Sequence, residues 1–111
     1  MQYLLMICGD ETAAEHRNDG CGGWSEDLER RGKIRGGAGL HPPTEATTIR
    51  VRDGEVLLTD GPFTEAKEQI GGFVILDCDN LDEALEIAAR HPAATYGSIE
   101  VRPILGPQDF A

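Results

Sequence analysis

At 111 residues the chain is long enough for one core but has little burial to spare, so pairing with a second copy is a natural source of more. Its 20 acidic and 10 basic side chains give a formal net charge of −10, and the basic residues are scattered in ones and twos, which argues against nucleic acid and anionic membrane as partners. The cysteines, Cys8, Cys21 and Cys78, are odd in number, far apart and without a CxxC pair, which fits a reducing, cytoplasmic compartment better than a disulfide framework.

Residues 3–8, YLLMIC, are apolar at every position. Both faces, Tyr3/Leu5/Ile7 and Leu4/Met6/Cys8, ask to be buried, as in a central strand covered on two sides. The run lacks a basic flank and is too short for an export signal, so it reads as a strand. Over residues 11–23, Ala13, Ala14 and Glu15 suit a helix, whereas Asn18-Asp19-Gly20 and Gly22-Gly23 interrupt it; a helical turn followed by a loop is expected. A helix follows from Trp24, with Glu26 and Asp27 in its first turn, Arg30 and Arg31 in its last, and Gly32 as a left-handed cap. Glu26/Arg30 and Asp27/Arg31 are expected i,i+4 ion pairs.

Residues 33–40 form a strand loosened by Gly36, Gly37 and Gly39 and ended by Pro42-Pro43. Residues 47–59 form a hairpin about the type I′ turn signal Asp53-Gly54. The two-residue loop sets Arg52 opposite Glu55, Val51 opposite Val56, Arg50 opposite Leu57 and Ile49 opposite Leu58. One face is then apolar (Ile49, Val51, Val56, Leu58), and the other carries Arg50, Arg52 and Glu55. Residues 73–78 make a further strand with two apolar faces. Asn80 with Glu83 resembles a capping box for a helix whose Leu81, Ala84, Leu85, Ala88 and Ala89 recur at helical spacing and which Arg90, His91 and Pro92 close. Residues 98–104 alternate, Ile99 and Val101 against Glu100 and Arg102.

Strand, helix, strand, hairpin, strand, helix, strand is the order of an α+β, ferredoxin-like split βαβ with an inserted β-hairpin, in a single domain over residues 1–111. Two helices cover one face of such a sheet. The first and third core strands ask for cover on the other, and the same sheet from a second copy supplies it, giving a homodimeric α/β barrel with a space between the sheets.

TTIRVRDGEVLLTDGPFTEAKEQIGGFVILD, the opening MQYLLMICGDE and the ending YGSIEVRPI resemble the DGPF branch of the YCII-related family, nearly throughout. The resemblance implies a dimeric α/β barrel and a gene neighbourhood shared with extracytoplasmic-function sigma factors. More distant YCII-like proteins include lyases with a His/Asp dyad, and that dyad does not carry over. Counting back from Gly32, the helix histidine falls near Cys21, with His16 five residues off, and the acidic position before a proline falls on His91.

Candidate site residues cluster around the hairpin and the motif that ends it. Asp60 is read both as a turn-pinning carboxylate that accepts from amides near Phe63 and Thr64, and as an acid/base or ligand-orienting group. Glu65, Lys67 and Glu68 are read as a solvated face, as an ion network, or with Arg50 and Arg52 as an anion-binding set. His41, at the mouth of the Pro-Pro loop, is a candidate proton carrier or an exposed loop residue. His16, His41, His91 and the cysteines lack zinc-ligand spacing, so no metal is expected, and no cofactor is assigned. Trp24 reads as a core anchor. The combined expectation is a cytoplasmic homodimer with a pocket for a small polar or anionic ligand and cofactor-free lyase or isomerase chemistry. The alternative is a non-catalytic accessory or regulatory protein acting with a sigma factor.

Overall fold

The computed structural model describes residues 1–9, 23–61 and 69–110. The elements are β1 (Gln2–Gly9), α1 (Trp24–Arg30), β2 (Ile34–Gly39), β3 (Thr47–Arg52), β4 (Glu55–Asp60), β5 (Gln69–Asp77), α2 (Leu81–Ala89), α3 (Ala93–Tyr96) and β6 (Ser98–Pro103). The expected helical turn and loop within residues 11–23 fall almost wholly outside the described residues.

β2, β5, β1 and β6 form a four-stranded sheet in that order, antiparallel at each pairing. β1 and β2 thus flank β5, and β5 and β6 flank β1, the ferredoxin-like interleaving of two split βαβ units. Tyr3 pairs with Leu76 and Pro103, and Leu5 with Val74 and Val101. These rows meet Trp24 and Leu28 of α1 and Ala84, Ile87 and Ala88 of α2 in one core, against which Ile34 and Ile99 also pack. Leu5 and Leu76 are completely buried, and each contributes roughly 1.5–3 kcal/mol through removal from water. Trp24 is the anchor its sequence context suggests: its indole N–H donates to the Ile87 carbonyl at 2.9 Å, which ties α1 to α2.

The helix ends follow local chemistry. Asn80 caps α2, its side-chain oxygen accepting from the Glu83 amide at 2.9 Å. The Glu83 carboxylate accepts from the Asp79 amide at 3.2 Å, one residue beyond the N-cap amide that the usual capping box engages, and from Lys33 Nζ at 2.8 Å. α1 ends at a left-handed Gly32 (φ 69°). Its ion pairing differs from expectation for Glu26: Asp27 takes both Arg30 and Arg31, each at 3.3 Å, because both lie within one turn on its own side of the helix.

The next residue along each strand of the sheet points the other way. Leu4 lies between Ile75 and Arg102, and Met6 between Phe73 and Glu100. Leu4, Met6, Phe73 and Ile75 remain only half-buried, because α1 and α2 pack on the opposite face.

Candidate functional site

β3 and β4 form a two-stranded ribbon with its own pairing, separate from the main sheet. Asp53 (φ 52°) and Gly54 (φ 81°) provide the paired positive φ angles of a type I′ turn, and the resulting register is the one the turn predicts. Thr47 pairs with Asp60, Ile49 with Leu58 and Val51 with Val56 on one face; Thr48 pairs with Thr59, Arg50 with Leu57 and Arg52 with Glu55 on the other.

The two faces are placed against hydrophobic logic. Ile49, Val51, Val56 and Leu58 are 57–67% exposed, whereas Thr48 and Arg50 on the polar face are half-buried. The ribbon base is closed from the polar side. Thr48 Oγ1 donates to the Gly61 carbonyl at 2.8 Å, and the Gly61 amide donates to Ala46 O at 2.7 Å.

Asp60 ends β4 as an exposed residue and belongs to the apolar face, one rung beyond Ile49 and Leu58. Arg50 and Arg52 share the opposite face, and the Arg52 guanidinium donates to the Val51 carbonyl at 3.0 Å. The two arginines are therefore together, and Asp60 is turned away from them. His41 lies in the loop before the ribbon with its side chain 87% exposed, and its Nδ1 is 3.1 Å from the Glu45 carboxylate. Glu65, Lys67 and Glu68, and the amides of Phe63 and Thr64 expected to bind Asp60, lie outside the described residues. On the open face of the main sheet, Arg102 and Glu100 of β6 pair at 2.8 Å beside Leu4 and Met6.

His91, assigned by sequence only to closing a helix, is 6% exposed. Its ring meets Trp24 edge-on, with centroids 4.8 Å apart, and its Nδ1 accepts from the Ala93 amide at 3.0 Å. Burial pushes its pKa down, so the imidazole is held neutral with its proton on Nε2. Next to it is a surface hollow of about 280 Å³, walled by Trp24, Leu28, Arg31, Ile87, Arg90 and Pro92 among others. No local pattern announces this pairing; only the His-Pro step after a capped helix hints that residue 91 is tucked inward.

A second polar cluster joins β2 to α2. The hydrogen bond from Lys33 holds the Glu83 carboxyl below its ordinary range, the Asp79 amide adding to the effect, and the same bond raises the Lys33 pKa. Burial pushes the neighbouring Cys78 thiol up, with the Glu83 charge adding to the shift. A raised pKa leaves the thiol less ionised than an ordinary cysteine, and the Lys33–Glu83 pair braces the start of β2 against α2. Among the described residues, no three His, Cys, Asp or Glu side chains converge as metal ligands do, and no helix is long and apolar enough to cross a membrane.

Comparison with known proteins places this geometry. The family model for the YCII-related domain matches residues 1–108. An uncharacterized protein of Rhizobium meliloti (strain 1021) is 48% identical over 121 aligned positions, covering 94% of this chain and 92% of that protein. Among solved structures, the 5-chloro-2-hydroxyhydroquinone dehydrochlorinase TftG of Burkholderia phenoliruptrix AC1100, in complex with 2,5-dihydroxybenzoquinone, superposes with a TM-score of 0.57 over 97% of both chains. At 19% identity that likeness concerns the fold.

Proposed function

The chain belongs to the YCII-related domain family, and from that premise we propose that it is a cytoplasmic homodimer holding a small polar or anionic molecule in a pocket beside or between its sheets, with cofactor-free lyase or isomerase chemistry. The observation that carries this reading is the second face of the sheet. Leu4, Met6, Phe73 and Ile75 make a half-buried apolar floor, bordered on β6 by the ion-paired Glu100 and Arg102. A floor of this kind with a polar rim suits a small, flat, partly oxygenated ligand once a second sheet covers it.

The fold neighbour supports the chemical class. A dehydrochlorinase carries out an elimination, and the ligand in its structure is a small dihydroxyquinone. Such a reaction needs a base and a group that stabilises developing negative charge. In this reading Asp60 is the base or orienting carboxylate, His41 a proton carrier, and Arg50 or Arg52 the anion anchor, with Glu65, Lys67 and Glu68 completing the polar set.

A specific observation favours a second reading, a non-catalytic accessory or regulatory protein. Within one chain His41, Arg52 and Asp60 are exposed, and Asp60 faces away from the arginines. Crystals of the protein soaked with hydroxyquinones and small carboxylates distinguish the two. Density on the Leu4/Met6/Phe73/Ile75 floor, lost in Asp60→Asn, supports the pocket. No ligand from either class, together with unchanged behaviour of Asp60→Asn, supports the accessory role.

A further inference from the structure

The hollow between α1 and α2 lies on the helical side of the main sheet, and no residue of the ribbon or of the Leu4/Met6/Phe73/Ile75 floor lines it. Its volume of about 280 Å³ suits one substituted ring rather than a nucleotide or a peptide. Trp24, Leu28, Ile87 and Pro92 give it apolar walls. The indole N–H is committed to the Ile87 carbonyl, so Trp24 presents ring surface and no donor. His91, edge-on to the indole, braces that wall. The polar contribution is cationic. Arg31 and Arg90, each at the end of its helix, line the hollow, with Asp27 the single carboxylate among the lining residues. Asp27 is itself divided: one oxygen takes Arg30 and the other Arg31, each at 3.3 Å, so Arg31 is only partly neutralised. Arg90 pairs with Glu86 through one nitrogen at 2.8 Å. A guanidinium carries five N–H donors, and neither pairing is bidentate, which leaves donors on both arginines for a further acceptor.

We propose that this hollow binds a small aromatic carboxylate, its ring against Trp24, Leu28, Ile87 and Pro92 and its carboxylate held by Arg31 and Arg90. In a chain of net charge −10, a recess lined by two guanidiniums and one carboxylate is a local reversal of sign, and an anion is what complements it. A planar carboxylate matches guanidinium geometry, and a flat ring matches the walls. The carbonyl ends of two helices would ordinarily oppose an anion. Here those carbonyls are engaged: Glu29 and Leu28 accept from the Gly32 and Lys33 amides, and Ile87 accepts from the indole. The pairs with Asp27 and Glu86 also draw both guanidiniums back one turn along their helices. The site is separate from the pocket proposed above and does not depend on a second copy of the chain. It spans α1 and α2, which the indole already ties together, so a bound acid stabilises the folded chain by mass action.

Trp24 is the single tryptophan of the chain, so its indole N–H cross-peak in a proton–nitrogen correlation spectrum reports on this hollow. Titration of the full chain with benzoate is expected to shift that cross-peak saturably. Benzamide, which lacks the charge, and acetate, which lacks the ring, should each bind at least about tenfold more weakly. Arg31→Gln and Arg90→Gln remove exposed i,i+4 pairs that contribute little to folding. Each is expected to weaken benzoate binding by about tenfold or more, as loss of a charge-assisted hydrogen bond does. Arg35→Gln, at an exposed arginine outside the hollow, should bind as wild type. A Trp24 cross-peak unmoved at about 10 mM benzoate, or benzamide bound as tightly as benzoate, overturns the proposal. Benzoate binding that survives both substitutions, with shifts on the sheet floor instead, overturns it too and leaves the floor pocket standing.

Discussion

Asp60 and Arg50 lie on opposite faces of the same two-stranded ribbon, Asp60 paired with Thr47 and Arg50 with Leu57. An aspartate and an arginine ten residues apart on a hairpin thus cannot act on one ligand from a single ribbon face. The carboxylate is aligned with the aliphatic face and the guanidinium with the half-covered one.

That separation makes the Asp60 variants informative. Asp60→Asn keeps an acceptor oxygen and is expected to fold nearly as well as wild type, whereas Asp60→Ala is expected to lose about 0.5–2 kcal/mol if the carboxylate pins the turn. Denaturant titration measures this. Loss of ligand binding in Asp60→Asn with normal melting marks a site residue; equal stability of all three proteins removes the turn-pinning role.

Asn80 gives a cleaner local test. Asn80→Ala removes the acceptor of the Glu83 amide and is expected to cost about 1 kcal/mol, while Asn80→Asp, which retains it, stays within a few tenths. Urea midpoints at constant m-value are the measurement, and an Asn80→Ala protein as stable as wild type would contradict the cap.

His91 predicts a pH dependence with a definite sign. Its folded pKa is lowered from 6.5 by burial, so the unfolded chain binds the proton more readily. The stability contribution is fully present above 6.5 and is lost as pH falls through the folded value. His91→Asn, which can still accept from the Ala93 amide, should flatten the stability profile on the acid side of neutrality. A wild-type profile flat from neutral to mildly acidic pH would contradict the assignment.

Gly97 is expected to resist substitution. A Cβ built there collides with the Cys8 carbonyl of β1, which is backbone and cannot swing aside. Gly97→Ala should therefore cost about 1–3 kcal/mol as an overpacking change, whereas Gly39→Ala, at an open position, should cost far less. Comparable melting of the two variants would show that the β1–β6 end is more pliant than its packing suggests.

Much of this protein was legible without coordinates, and for a common reason. The hairpin register, the Asn80 cap and the Gly32 stop depend on a few neighbouring residues: positive φ at Asp53 and Gly54, one side-chain oxygen, one missing Cβ. The ferredoxin-like order followed from alternation and helical spacing, which are also local. What tertiary structure decided is orientation. Alternation divided the ribbon into an aliphatic and a charged face, but only the packed chain turned the aliphatic one outward and the Thr48/Arg50 side inward. Spacing showed where a helix stops, but only its approach to α1 buried His91 against Trp24 and kept it neutral. Lys33 and Glu83 are fifty residues apart and look like ordinary surface charges until β2 and α2 bring them to 2.8 Å. Local chemistry selects the elements, whereas facing and burial depend on contacts between distant segments.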